Sequence, residues 1–293
     1  PAPGPYDEAR RLLEQGQAEA ARAALQSAPP GAESFYLRGA AWARKSETAP
    51  LPTPPPAPSP LPRGYVSAPA PEWKPEELQA VSLLEQAIAA APGHSRAHQA
   101  LADLLAPHAI RRAEQAKAAA AAPRPRGRRG RVETPPTPAP EGPDASAERV
   151  LREYRAAAEA DPAGTAAVEA MIAFCDRADR PAEAEWAFGE LLKRDRERAE
   201  PHVRYGDYLR GRRNFDGAIA EYRQALVWKA DDEATRTKVG EIYITMAEEH
   251  LARQEWAAAE QRLREAQKWV KDKSSPAALK LQAVQAQLRQ IRR

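Results

Sequence analysis

The chain has 293 residues, and its 44 Lys and Arg nearly balance 41 Asp and Glu, for a net charge of +3. That balance gives no global electrostatic case for a nucleic-acid or membrane partner. A single cysteine, Cys175, rules out an intrachain disulfide, a cysteine zinc site and a haem-attachment motif. No run of about 18–20 apolar residues is present to cross a bilayer as a helix.

Good helix formers dominate outside a few stretches, and aromatic residues are only 6% of the chain. Most of the 29 prolines fall in two blocks, 50–75 and 123–143, and the rest sit mainly at expected helix boundaries. Along the chain, the first apolar face is Ala21, Leu25 and Ala28. Their offsets of four and three place them on one side of a helix. The same face returns as Ala80, Leu84 and Ala87, with inserted sequence between Trp42 and Leu78. Leu84, Ala87 and Pro92 recur as Tyr154, Ala157 and Pro162, with a second insertion between Leu105 and Val150. From there the spacing becomes regular. Val150, Tyr154 and Ala157, then Ala184, Phe188 and Leu191, then Ala218, Tyr222 and Ala225 repeat every 34 residues. The small residues admit a neighbouring helix, and the larger one fills the space between.

Beyond these columns the step grows to 41, giving Ala259, Leu263 and Ala266. Seven extra residues are about two helical turns. The spacing therefore predicts a lengthened first helix over 233–253, with Gly240 and Ala247 both placed for close approach. A last helix is predicted over 276–291, with Leu281, Val284, Leu288 and Ile291 on one stripe and Lys280, Gln287 and Arg289 opposite.

The most regular copy runs from 199 to 232 and resembles the tetratricopeptide repeat. Tyr205-Gly206, Leu209, Phe215, Ala218, Tyr222 and Ala225 occupy the signature positions. Ala230 stands where the usual inter-repeat proline is kept as Pro92 and Pro162. Gly206, Ala184, Phe188, Tyr154 and Ala157 extend the signature. The resemblance implies an all-α, right-handed α-solenoid over 1–293, with about six helix pairs and a capping helix over 275–293. A bacterial member of the family is expected.

Insertions are expected at 46–74 and 123–144, each between the two helices of its repeat and on one edge of the solenoid. The first is proline-dominated and suits polyproline II, with Tyr65 and Trp73 as candidates to pin it to the stack. The second begins with a strongly helical stretch, 109–122, and then carries Arg124, Arg126, Arg128, Arg129 and Arg131. No aromatic residue interleaves this cluster, so a solvated or acid-paired loop is favoured over a specific nucleic-acid arm. Thr53, Ser59, Thr134 and Thr137 lie beside prolines and are candidate O-glycosylation positions on composition alone.

No phosphate-binding loop, dinucleotide fingerprint, nucleophile elbow or HExxH motif occurs. His94 and His98 are four apart, but His94 is expected to precede its helix, and His108, His202 and His250 stand apart. Cys175 lies at an apolar helix position with no histidine near it in sequence. The expectation is a chain without catalytic residues, cofactor or metal.

In tetratricopeptide proteins the first helices line a groove. The resemblance places Glu169, Ala173 and Asp176, then Val203, Arg204, Asp207 and Arg210, then Lys238, Glu241 and Thr245 on that surface. The family's terminal-carboxylate clamp of Lys, Asn and Arg would fall on Glu169, Ala173, Arg204 and Ala166, so the Lys-Asn pair is absent. The mixed signs suit an extended peptide carrying both charges. The primary expectation is a scaffold that binds protein partners or assembles a complex, in an envelope setting. The alternative is a self-associating structural subunit or coat. An opening Pro-Ala-Pro-Gly without Met favours export over a cytoplasmic location.

Overall fold

A computed structural model of the chain describes residues 4–50, 73–121 and 145–291. The described residues form thirteen α-helices, one short 3-10 turn and no strand. In chain order the pairs are α1 (Pro5–Glu14) and α2 (Ala18–Ala24), α3 (Ala32–Thr48) and α4 (Pro75–Ala90), then α5 (Ser95–Ala121) and α6 (Ala147–Ala160). There follow α7 (Ala166–Ala178) and α8 (Pro181–Arg194), α9 (Ala199–Gly211) and α10 (Phe215–Trp228), and α11 (Glu233–Ala252) and α12 (Trp256–Trp269), before α13 (Pro276–Ile291). The chain divides into two compact units, Pro1–Ala187 and Phe188–Arg293.

Most of the described prolines fit because of where they fall, while Pro107 lies inside α5. Pro5, Pro75, Pro181 and Pro276 are each the first residue of a helix, where a missing N–H costs no hydrogen bond. Side-chain caps start other helices. Ser146 accepts from the Arg149 N–H at 3.2 Å, Asn214 from Gly217 at 3.1 Å, and Asp232 from Ala234 at 3.1 Å.

Four of the six pairs share one turn between their helices. Gly16, Asp179, Arg213 and Gln254 adopt left-handed backbone, with φ of 75, 54, 62 and 61°. In each, the following N–H donates back to a carbonyl five residues earlier: Gln17 to Leu12, Arg180 to Cys175, Asn214 to Leu209 and Glu255 to His250, at 2.8–2.9 Å. This is the Schellman closure of a helix end. The two remaining pairs are those that carry the insertions.

Close helix approach is visible at glycines. A Cβ on Gly206 of α9 would lie 2.6 Å from Tyr222 Cε1 of α10, and one on Gly39 of α3 would lie 2.9 Å from Leu84 Cγ of α4. The column residues are buried in both units, including Leu84, Tyr154, Ala157 and Ala184 in the first and Phe188, Ala218, Tyr222 and Ala225 in the second. The lengthened helix is α11. A Cβ on its Gly240 would lie 2.5 Å from Val270 Cγ2, just past the end of α12, while Ala247 is fully buried. On α13, Leu281, Val284 and Leu288 join the core of the second unit.

The strongly helical stretch after Ala109 continues α5 to 27 residues, and Lys117 reaches Asp179 at 3.4 Å. The first insertion is closed at its base. Lys74 Nζ donates to the carbonyls of Ser46 and Ala49 at 2.6 and 2.8 Å. Trp73 is buried and stacks on His108 with ring centroids 3.8 Å apart. Tyr65, the arginine cluster at 124–131, and Thr53, Ser59, Thr134 and Thr137 lie outside the described residues.

Candidate partner-binding surface

In the second unit, the first helices α9 and α11 carry seven of the predicted surface residues, Val203 and Thr245 among them and half-buried. Asp207 is exposed, and Arg204, Arg210, Lys238 and Glu241 are half-buried. Lys238 Nζ donates to both Asp207 carboxylate oxygens, at 2.8 and 2.7 Å. One turn further along, Arg210 donates to Glu241 at 2.8 Å. The two pairs cross between the same helices with opposite polarity, acid to base and then base to acid. In the first unit, Glu169 and Asp176 lie on α7, half-buried and exposed, with Ala166 and Ala173 also exposed on that helix.

Asp207 has a second partner, since the Tyr222 hydroxyl donates to it at 2.6 Å. The first unit repeats this bond, with Tyr154 donating to Asp103 at 2.8 Å. Burial lifts both phenols well above the ordinary tyrosine range, and the neighbouring carboxylate adds to the effect. Both hydroxyls are therefore protonated donors at any physiological pH. Burial also raises the Asp103 carboxyl, against the opposing hydrogen bond from Tyr154. In the sequence Tyr154 and Tyr222 stand out as space-fillers, and nothing in their spacing marks the polar ends. A signal was present: Ala102-Asp103 holds the place in α5 that Gly206-Asp207 holds in α9, two repeats and the second insertion later, so the acid follows the close-approach position in both.

Each of the five histidines stands beside a glutamate. His94 meets Glu33 at 3.1 Å, His98 meets Glu153 at 2.7 Å and His108 approaches Glu77 at 3.6 Å. His202 meets Glu221 at 2.8 Å and His250 meets Glu255 at 2.6 Å. His94 precedes α5, and its Nδ1 accepts the Ala97 N–H at 3.2 Å. His94 and His98 thus serve different carboxylates. Among the described residues no group of three His, Cys, Asp or Glu side chains is placed to hold a metal ion. Cys175 is fully buried, and burial, with the Glu183 charge second, pushes its thiol up to about 12. A thiol so held is almost entirely protonated near neutral pH and a poor nucleophile. No helix among the described residues is long and apolar enough to cross a membrane.

No family model matches the chain, and no curated protein matches it in sequence. Solved structures with similar helical arrangements include a thermophilic TPR protein of Thermus thermophilus, with 14% identity and a TM-score of 0.41 over 81% of this chain and 96% of that one. PilF of Pseudomonas aeruginosa has 13% identity and a TM-score of 0.45, over 97% of this chain and 96% of its own. A tetratricopeptide repeat protein of Parabacteroides merdae has 11% identity and a TM-score of 0.42, over 96% and 99%. The chain's own helix pairs, its shared left-handed turns and its buried small–large–small columns define a tetratricopeptide-type all-α solenoid fold.

Proposed function

We infer that this chain is a non-catalytic scaffold that holds a protein partner along its first helices. The observation that carries this reading is the pairing of Asp207 with Lys238 and of Arg210 with Glu241 across α9 and α11. These ion pairs are accessible, so each is worth little to stability, about 0–1 kcal/mol. They are nevertheless charged groups of both signs, held in register on a helix-lined surface. A partner segment with its own alternating charges can exchange into them without leaving a buried charge unpaired.

The test is binding to a peptide library with acidic, basic and mixed-charge members, read by fluorescence anisotropy at two salt concentrations. Mixed-charge peptides are expected to bind best and to weaken with salt. Exchanging Lys238→Glu and Arg210→Glu together should weaken them at least about tenfold, one RT ln 10 step of about 1.4 kcal/mol, with the circular dichroism spectrum unchanged. Equal binding by the charge-reversed variant would sink the reading.

A second reading, self-association, has one observation of its own. Leu279, opposite the core stripe of α13, and Ile291, the last residue of that stripe, which the sequence placed with the core, are 60% and 45% exposed. Sedimentation over a hundredfold concentration range separates the two, since only self-association makes the mass depend on concentration.

A further inference from the structure

Where the two helices of a repeat are joined by the left-handed turn, that turn sets their register. α5 and α6 are not joined by a short turn, since residues 122–146 stand between them in sequence. Side chains hold this pair instead. Ser95 Oγ donates to the Ala157 carbonyl at 3.0 Å, Tyr154 donates to Asp103 at 2.8 Å, and His98 meets Glu153 at 2.7 Å.

The third bond differs in kind from the other two. His98 is buried, with its Nδ1 2.7 Å from Glu153 Oε2 and its Nε2 2.9 Å from the Pro92 carbonyl. A carboxylate and a carbonyl are both acceptors, whereas a neutral imidazole has one N–H to give. Only the imidazolium satisfies both. His94 shows the contrast, because its Nδ1 accepts a backbone N–H and its Nε2 alone faces an acid.

We propose that His98 is a proton-operated latch: its imidazolium ties α5 to α6 and to the turn at Pro92, and losing the proton gives up one of these bonds and loosens the pair. Besides Glu153, the charged groups around the junction are Arg149 on α6, whose Nε lies 4.0 Å from Glu153, and Glu85 of α4, which pairs with Arg149. Asp103 lies one turn along α5 under Tyr154, and Glu33 of α3 is held by His94 and by Arg10 of α1. The hydrogen bond that His98 donates to Glu153 raises the His98 pKa and outweighs burial, which lowers it. The folded chain therefore binds this proton more tightly than the unfolded chain. The stabilisation is complete below the unfolded histidine pKa of about 6.5 and disappears as pH rises through the higher folded value.

The test is a proton–carbon NMR titration of the imidazoles in the full chain, with His98 assigned by comparison with His98→Gln. His98 should titrate above about 6.5, and Glu153→Gln should bring it to that value or below. Between about pH 6 and about pH 9, the wild type should lose about 2–4 °C of melting temperature that His98→Gln does not lose. Titration of His98 at or below about 6.5, or a value unmoved by Glu153→Gln, overturns the latch. If His98→Gln does not fold, the wild-type and Glu153→Gln titrations decide the matter alone.

Discussion

At the scale of single residues, the molecule depends on a few positions where size is the whole requirement. Gly206 is one. Its missing side chain lets the Tyr222 ring lie against α9, where a Cβ would come within 2.6 Å of the ring. The ring has no easy escape, because it is fully buried and its hydroxyl is held by Asp207 at 2.6 Å. Gly206→Ala is therefore an overpacking change and should cost about 1–3 kcal/mol. Urea unfolding measures this, and an unchanged midpoint would mean that the two helices separate at no cost. Repetition exposed Tyr222 in the sequence, and the tetratricopeptide resemblance singled out Gly206. Asp207 was legible as a groove position, but its bond to Tyr222 was not, because nothing in the sequence ties one aspartate among 41 acidic residues to a particular tyrosine.

At the scale of elements, the left-handed turn is the recurring joint. Three of its four instances hold a residue with a side chain, and only Gly16 relieves the steric cost of that backbone. A non-glycine residue there costs about 1–2 kcal/mol, while glycine loses roughly 0.5–1 kcal/mol through added freedom in the unfolded chain. Gln254 is the cleanest site for a test, being exposed at the α11–α12 turn. Gln254→Gly should stabilise by roughly 0.5 kcal/mol, the difference between these terms. Chemical denaturation monitored by helix content checks this, with Gly16→Ala expected to move the other way. The insertions replace this joint in the second and third pairs, and new ties appear at those places. Lys74 closes the base of the first insertion through the Ser46 and Ala49 carbonyls. The second pair of helices so affected, α5 and α6, is held by Ser95, His98 and Tyr154.

At the scale of the molecule, each compact unit buries its own apolar columns, and the end of the second is covered by α13. Leu281, Val284 and Leu288 of that helix complete a core that includes Val239, Ile242, Leu263 and Ala266. A helical stack must close its last open face, since each repeat is stabilised by its neighbour. Truncation after Ser275 should therefore loosen α11 and α12 together. Hydrogen exchange by mass spectrometry would show faster exchange over 233–269, and protection at the full-length level would count against the capping role.

The letters of the chain alone carry the helix pairs, the 34-residue columns, the two-turn lengthening at 233–252 and the last helix at 276–291. Each of these depends on local periodicity, which repeats and so announces itself. Side-chain partners between helices are another matter. That Asp207 turns to Lys238 and Tyr222, that every histidine finds a glutamate, and that His98 faces two acceptors are outcomes of packing between residues up to 62 positions apart, as with Ser95 and Ala157. Such pairs leave no period behind. They depend on which turn of one helix faces which turn of another, and only the tertiary structure decides that.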